Sequence, residues 1–388
     1  MNSKIEYQTF VISILTFCIS FFGIILFSMV IIDPLKIFHK PLKDSINFMK
    51  GEMRYQVAGI INNYEFDSII LGASMLQNTS AKDATDILQS SFVNLSVGGL
   101  SMGNRSLMID YALKSKKLNH VITTLDGFAD SENKSNFSFL YNGTFLDDIK
   151  VYKTRRFVID AVCQLSTIYV EIAYCKKRNS YDTSLELITE WYSTYDHKER
   201  FGGIENWLKL ENNSQIIDQL EEIAEQANCI KNNYCEAIKS STYDNAIGIF
   251  DKTILKLALE NSDTKFHLIF PPYSRLKYAL LKQSNSNEFE SYITTIKNIV
   301  MRSEAIENIS IYGMDHLTFS DDISNYKDPS HYHPRVNQEM LKAIKNNHFL
   351  LTSQTLNSYI EEIESLAKNY DIFLITNQIE SYLRGLEI

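Results

Sequence analysis

Asp67-Ser-Ile-Ile-Leu-Gly72 is a short apolar run that ends at a glycine and is followed by a helical pattern over 80–90. Phe92 to Val97 repeats the arrangement, with glycines after it and a helical pattern over 101–116. His120 to Leu125 is a third run of the same kind. Apolar strands of this length that alternate with helices are typical of a parallel sheet covered on both faces. The sequence therefore predicts an α/β fold.

The strand pattern is interrupted in the middle of the chain. Residues 140–245 carry helical periodicity without strands between them, which predicts a helical insertion that forms a lid or a partner surface. The sheet is expected to resume at Lys265–Phe270 and near Ile309–Tyr312. A helix is predicted over 337–346. The predicted α/β domain spans 65–350, and residues 351–388 form an extension with a helix (355–368) and a short strand (371–375).

The N-terminal part of the chain has a different character. Thr9 to Ile32 contains no charged residue, and a helix of this length reaches across the roughly 30 Å hydrocarbon core of a bilayer. We therefore predict a transmembrane helix at 9–32, a cytoplasmic N-terminus at 1–8 and a connector at 33–64. The run is longer than a signal-peptide core, and no small-residue cleavage site follows it.

Composition excludes several functions. The net charge of −9 argues against a nucleic-acid-binding protein, which normally has a basic face. The chain has no phosphate-binding loop and no dinucleotide-binding glycine motif. The cysteine spacings do not fit a zinc site, and neither a metal nor an organic cofactor is expected.

Two signals conflict on the side of the membrane that the domain occupies. Lysines 36, 40, 43 and 50 follow the apolar run, and the positive-inside tendency would then place the domain in the cytoplasm. The pairs Cys163/Cys175 and Cys229/Cys235 are spaced as local disulfides of an oxidising compartment would be. Four buried thiols explain the same cysteines, so the pattern leaves both interpretations open.

Three sequence features that could take part in catalysis or binding follow predicted strands or precede a predicted helix. Gly72-Ala73-Ser74 would present a serine hydroxyl at the edge of the sheet. The glycines of Asn94-Leu-Ser-Val-Gly-Gly99 would let a backbone amide approach a ligand. In Asp328-Pro-Ser-His331 the carboxylate can orient the imidazole as a general base. His333 is an alternative base that position alone does not exclude.

The order of these features resembles the SGNH (GDSL-like) hydrolase superfamily over roughly 65–350, apart from the insertion. Gly72-Ala73-Ser74 looks like its first block, with Ala73 in place of aspartate. The segment 94–101 is similar to the second block and puts Gly99 at the oxyanion position. Asp328-Pro-Ser-His331 resembles the Asp-x-x-His block. The resemblance implies a flavodoxin-like three-layer fold with Ser74, Asp328 and His331 as catalytic residues.

The resemblance also implies an oxyanion hole formed by the amides of Ser74 and Gly99, with binding contacts from Asn94, Gly98 and Asp126. The third block departs from the family pattern. Leu125-Asp126-Gly127-Phe128 places Phe128 where the family has an asparagine that donates to the oxyanion. The third donor is therefore a different residue or is absent. Loss of one such donor typically costs on the order of 100–1000-fold in turnover.

The nearest look-alikes within the superfamily are membrane-anchored envelope proteins, such as alginate-type polysaccharide O-acetyltransferases and the protein that assists D-alanylation of lipoteichoic acid. The Phe270-Pro-Pro-Tyr-Ser274 turn also looks like a segment of such proteins. The resemblance implies an O-acyltransferase in the inner or cytoplasmic membrane, with its domain in the periplasm or outside the cell. A surface polysaccharide acceptor and a multispanning acyltransferase partner are expected. A carbohydrate esterase and a non-catalytic assembly protein are the alternatives.

Overall fold

The computed structural model of the chain describes residues 2–40, 53–128, 136–153, 198–208, 214–235, 243–284 and 286–386. The strands are β1 (Ser68–Ile70), β2 (Phe92–Asn94), β3 (His120–Thr124), β4 (Lys265–Phe270) and β5 (Ile309–Gly313). The helices, in chain order, are α1 (Asn2–Ile32), α2 (Met53–Asn63), α3 (Ala81–Leu88), α4 (Met102–Ser115), α5 (Phe145–Asp148), α6 (Ile204–Leu208), α7 (Ser214–Asn232), α8 (Ala246–Phe250), α9 (Lys256–Glu260), α10 (Arg275–Ser284), α11 (Ser286–Ser303), α12 (Pro334–Asn346), α13 (Leu356–Asn369) and α14 (Phe373–Leu386).

The described residues form two compact units. One is drawn from Met1–Glu65 and Asn136–Leu185, and the other from Phe66–Ser135 and Glu186–Ile388. The predicted insertion at 140–245 is therefore divided between the units. The second unit also includes α13 and α14, which the sequence analysis had placed in an extension after residue 350.

The first unit contains α1, which is long and apolar enough to cross a membrane. Its apolar part runs from Tyr7 to Ile32, with a mean hydropathy of 2.7 in its most apolar window, and none of that window is buried. Side chains such as Phe17 and Ile19 are 70% and 72% exposed. A core helix of a soluble protein would bury these side chains, whereas a lipid-facing helix leaves them exposed.

The turn after α1 is held by a buried carboxylate. Asp33 accepts hydrogen bonds from the amides of Ile37 (3.0 Å) and Phe38 (2.7 Å) and from the hydroxyl of Tyr152. Gly59 on α2 packs directly against this turn, because a Cβ at that position would lie 1.8 Å from the carbonyl oxygen of Lys36. The connector predicted at 33–64 is therefore structured at both of its described ends, and residues 41–52 lie outside the described part.

The second unit is built on one sheet of five parallel strands in the order β2-β1-β3-β4-β5. Both faces of the sheet are buried. Ile70, Ile122 and Ile269 belong to a large apolar cluster on one face. The alternate residues Ile69, Val121 and Leu268 are fully buried on the other face. The parallel α/β sheet predicted from the sequence is confirmed.

Helices of the predicted insertion contribute to this apolar cluster. Trp207 on α6 and Leu220 and Ile223 on α7 are buried in it. The Trp207 indole donates a hydrogen bond to the carbonyl oxygen of Tyr326 at 2.8 Å. This part of the insertion is thus core structure of the second unit and does not form a separate lid.

The prediction of a C-terminal strand at 371–375 is wrong. Those residues lead into α14, which packs against α7. Ile372, Ile375 and Ile379 lie in the apolar cluster, at the spacing of one helical face. A short apolar run fits a buried strand and a buried helix equally well when it is judged by periodicity alone.

Candidate active site

Ser74 lies in the turn that follows β1, where it is half-buried. The strand pairing continues beyond β1 and β2, because Gly72 accepts a hydrogen bond from the Val97 amide at 3.1 Å. The Gly72 amide in turn donates to Ser96 Oγ at 2.9 Å. Ser74 and Gly99 each follow this pair by two residues, so both lie at the carboxyl edge of the sheet. Ligands of parallel α/β sheets bind at this edge.

His331 contacts the Ser74 hydroxyl. Its Nε2 lies 2.7 Å from Ser74 Oγ. Its Nδ1 lies 2.8 Å and 2.9 Å from the two carboxylate oxygens of Asp328. With the Nδ1 proton donated to Asp328, Nε2 carries a lone pair that can accept the hydrogen bond of the serine hydroxyl. The structure thus brings together the three residues that the sequence analysis selected as catalytic.

The Asp328 carboxylate is nearly buried and is held by its own loop. Its Oδ1 accepts hydrogen bonds from the amides of Ser330 and His331, both at 2.9 Å. Burial favours the protonated acid, but the hydrogen bond and charge of His331 and these two amides outweigh it. The pKa of Asp328 is therefore held below its ordinary value, and the carboxylate stays ionised.

His333, the alternative base, has a structural position. Its Nδ1 accepts the Arg335 amide at 3.1 Å and caps α12. Its ring packs edge-on against Phe201, with centroids 4.9 Å apart. Burial and the nearby Arg335 lower the pKa of His333. The histidine that contacts Ser74 is His331, which lies two residues before His333 in the sequence.

Gly99 occupies a turn over residues 97–100, closed by the Leu100 amide and the Val97 carbonyl at 3.4 Å. Its φ is +71°, the left-handed region that glycine adopts without strain. Within the part of the chain that the structure describes, the amides of Ser74 and Gly99 donate to no protein acceptor. Two free amides at the edge of the sheet fit an oxyanion hole. Gly98, predicted as a binding residue, lies in the same turn.

Asn94 was predicted to bind a ligand, but the structure gives it a different role. It is fully buried, and its Nδ2 donates to the carbonyl oxygens of Leu76 and Thr79, both at 2.8 Å. Its Oδ1 accepts the Ser96 amide at 2.9 Å. Asn94 therefore holds the loop after Ser74 against the end of β2, and its amide is not available to a ligand.

Asp126 is paired with Arg105. The Asp126 carboxylate lies 2.8 Å from Arg105 Nη1 and accepts the Thr124 hydroxyl at 2.7 Å. Arg105, on α4, is fully buried and also donates to the carbonyl oxygens of Thr124 and Asp126. The carboxylate predicted to bind a ligand thus anchors the end of β3, and 13% of its side chain stays exposed.

Phe128, which the resemblance aligned with an oxyanion asparagine, is nearly buried. Its ring packs against Tyr243, with centroids 6.2 Å apart. The side chain of Phe128 offers no polar atom to a ligand, so it cannot supply the side-chain donor that the resemblance leads one to expect at this position.

The sequence analysis missed two cations near Asp328. Arg200, in the turn Lys198–Arg200, places Nη2 3.9 Å from Asp328 Oδ2. Lys277, on α10, donates to Ser330 Oγ at 2.9 Å. Both are distant in sequence from the Asp-x-x-His motif. The only signal near either of them was the Phe270-Pro-Pro-Tyr-Ser274 turn, which lies just before Lys277.

Among the residues that the structure describes, no group of three or more His, Cys, Asp or Glu side chains is arranged to hold a metal ion. Cys229 and Cys235 form a disulfide, and Cys18 in α1 is free. The second predicted pair, Cys163 and Cys175, lies outside the described residues.

Comparison with known proteins found no family whose profile matches the chain and no curated protein with significant similarity to it. The functional assignment therefore depends on the geometry of the site.

Replacement of Gly99 by alanine tests the role of its amide. Alanine in the left-handed region costs about 1–2 kcal/mol, and relief of that strain would turn the amide away from the oxyanion position. We expect the variant to react with a serine-directed fluorophosphonate probe at least about tenfold more slowly than the unmodified protein. The measurement is the second-order labelling rate constant of the full-length protein in detergent.

Gly143 provides the matched control. It has the same φ of +71°, and an added Cβ meets no atom within 4 Å at either glycine. Gly143→Ala should therefore lower the thermal midpoint about as much as Gly99→Ala does, without slowing the labelling. Equal labelling rates in the two variants would exclude a role for the Gly99 amide.

Proposed function

We propose that the protein is a membrane-anchored SGNH-type O-acyltransferase that modifies a cell-envelope or surface polysaccharide through an acyl-enzyme. The observation that carries the proposal is the 2.7 Å contact between Ser74 Oγ and His331 Nε2, with Asp328 on the other ring nitrogen. An accessible serine, a base that accepts its proton and a carboxylate that orients the base are the requirements for nucleophilic acyl transfer.

The mechanism has two half-reactions. Ser74 Oγ attacks the carbonyl carbon of an acyl donor while His331 Nε2 takes the hydroxyl proton. The amides of Ser74 and Gly99 stabilise the oxyanion. As the intermediate collapses, His331 returns the proton to the leaving group and the Ser74 ester remains. A sugar hydroxyl then attacks this ester, with His331 again as base, and Ser74 is regenerated.

The fold supports this assignment. The order 2-1-3-4-5 is that of flavodoxin-like doubly wound sheets, whose ligands bind at the carboxyl edge where the strand order reverses. β1 and β3 flank that reversal, and Ser74 follows β1. The SGNH superfamily combines this sheet with a serine after the first strand and a late Asp-x-x-His, which is the arrangement of Ser74, Asp328 and His331.

The disulfide favours an extracytoplasmic domain. Cytosolic thiols are kept reduced, whereas exported domains commonly carry disulfides such as Cys229–Cys235. We infer that α1 crosses the inner or cytoplasmic membrane, that the N-terminus is cytoplasmic, and that the catalytic domain faces the periplasm or exterior. Acyl groups are activated inside the cell, so a multispanning acyltransferase in the same membrane is the expected source of the donor.

The buried Phe128 is the observation that favours the alternatives. An oxyanion hole without a side-chain donor is weaker, as expected for a slow carbohydrate esterase or for an assembly protein that has lost catalysis. In an esterase, water would replace the sugar hydroxyl in the second half-reaction and no partner would be required.

The test uses the full-length protein in detergent. A fluorophosphonate probe should form an adduct on the peptide that contains Ser74, as measured by mass spectrometry. With p-nitrophenyl acetate as donor, an added envelope polysaccharide should then carry acetyl groups. Free acetate without acetylated polysaccharide would identify an esterase. Absence of an adduct on folded protein would exclude both enzymes.

A further inference from the structure

The loop that carries Asp328 and His331 is fastened to the segment between β4 and α10. The amide and the hydroxyl of Ser274 both donate to the carbonyl oxygen of Pro329, at 3.1 Å and 2.7 Å. Ser274 is fully buried and ends the Phe270-Pro-Pro-Tyr-Ser274 segment. This segment therefore fixes the middle of the loop, between the carboxylate and the imidazole.

Lys277, in the first turn of α10, makes the next contact. Its Nζ donates to Ser330 Oγ at 2.9 Å and lies 3.6 Å from the centroid of the Tyr273 ring. The Ser330 amide is one of the two that donate to Asp328. Ser330 therefore takes part in two separate hydrogen bonds: its hydroxyl accepts from Lys277 Nζ, and its amide donates to the Asp328 carboxylate that pairs with His331.

Acidic groups from three elements act electrostatically on the Lys277 ammonium. Asp328 in the loop, Asp126 after β3 and Glu222 on α7 all favour its charged form. Burial acts more strongly in the opposite direction and lowers the pKa of Lys277 to about 8. Asp328 itself faces a second cation, Arg200, and His331 faces Asp328 and Ser74. Lys277 is thus a cation that Ser330 connects to the carboxylate partner of the proposed base.

We propose that Lys277 is a positioning residue for the proposed base. Its hydrogen bond fixes Ser330 beside Asp328, and its charge acts on the Asp328–His331 pair. The inference rests on the proposed function, because it assigns a role in activating Ser74. It adds a residue on α10 to the machinery, beyond the three residues of the motif pattern.

The two contributions have separate consequences. Loss of the hydrogen bond frees Ser330 and loosens the loop, which lowers the rate at every pH. Loss of the charge removes a cation from the neighbourhood of the imidazole, so the protonated, inactive form of the base becomes easier to form. The acidic limb of the rate profile then moves to higher pH. A residue with a structural role alone would lower the rate without moving this limb.

The experiment compares Lys277→Met and Lys277→Arg in the full-length protein in detergent. The readout is the second-order rate constant for labelling of Ser74 by a fluorophosphonate, measured from pH 5 to 9, which requires no knowledge of the glycan. We expect Lys277→Met to react about tenfold more slowly, with its acidic limb raised by about half a pH unit. Arginine keeps a charge and a donor, so Lys277→Arg should stay within about threefold of the unmodified protein and keep the limb in place.

Lys282 supplies the matched control on the same helix. Its Nζ also pairs with a carboxylate, Glu364 at 3.8 Å, and lies over an aromatic ring, Phe289 at 4.8 Å. Lys282→Met should leave the labelling rate and its pH profile unchanged. The thermal midpoint of each variant shows whether the fold is retained.

The possible outcomes separate the inference from the proposed function. If the unmodified protein is not labelled at Ser74, the proposed function is wrong. If it is labelled and Lys277→Met reacts at the same rate and pH, only the role of Lys277 is wrong. A slower Lys277→Met with an unmoved limb, and no recovery in Lys277→Arg, would reduce Lys277 to a structural residue and overturn the inference.

Discussion

Replacement of Ser74 by alanine is expected to abolish fluorophosphonate labelling and to lower acyl release by at least about 1000-fold. The variant removes the only atom that can form the acyl-enzyme in the proposed mechanism. The Ser74 Oγ is 2.7 Å from His331 Nε2 at the half-buried edge of the sheet, so the substitution leaves no cavity in the core. The thermal midpoint should therefore change little. Labelling and p-nitrophenyl acetate hydrolysis by the purified protein measure the effect.

The two histidines provide the control for this result. His331→Asn should cause a loss of similar size, because it removes the base. His333→Asn should keep the labelling rate, because asparagine is a favourable N-cap for α12 and the Ser74 hydroxyl contacts His331. Full labelling of Ser74→Ala would show that the probe reacts elsewhere. Loss of labelling in His333→Asn but not in His331→Asn would show that His333 is the base and that the assignment to His331 is wrong.

The largest effect on stability is expected at Arg105. The Arg105→Met variant leaves the Asp126 carboxylate mostly buried without its cation, and it removes the hydrogen bonds to the carbonyl oxygens of Thr124 and Asp126. Removal of one partner of a buried ion pair typically costs about 3–5 kcal/mol. Because Asp126 lies at the edge of the sheet that carries Ser74, we also expect slower labelling. Chemical denaturation of the detergent-solubilised protein measures the free energy of unfolding.

An exposed ion pair of similar geometry is the control for Arg105. Arg302 lies 2.9 Å from Asp251, but the two side chains are 46% and 34% exposed. Water screens such a pair, so Arg302→Met should cost less than about 1 kcal/mol. Equal losses in the two variants would mean that burial of the Arg105–Asp126 pair contributes nothing.

Local patterns in the sequence account for much of the fold. The strands β1 to β5 are rich in apolar and β-branched residues because both faces of a parallel sheet are covered, and such segments are recognisable without tertiary information. The uncharged run in α1 is visible for the same reason. The Asp328 loop is also local, since the carboxylate bonds amides two and three residues ahead of it.

Other features depend on packing between distant segments. The apolar run at 371–375 was assigned to a strand, but contact with α7 makes it the beginning of a helix. The amide of Asn94 was assigned to a ligand, but the carbonyl groups after Ser74 occupy it. In both cases the sequence shows the apolar or polar character of the residues. The contact that determines their structure or role comes from a segment far away in the sequence.

The sequence by itself determined the α/β class, the apolar N-terminal helix and the pool of candidate residues, because these follow from periodicity and from contacts within a few residues. Only the tertiary structure decided that Ser74 meets His331 rather than His333, that Asp126 pairs with Arg105, and that Lys277 reaches Ser330. Hydrogen bonds and ion pairs act over about 3–4 Å, and folding alone brings residues from opposite ends of the chain within that distance.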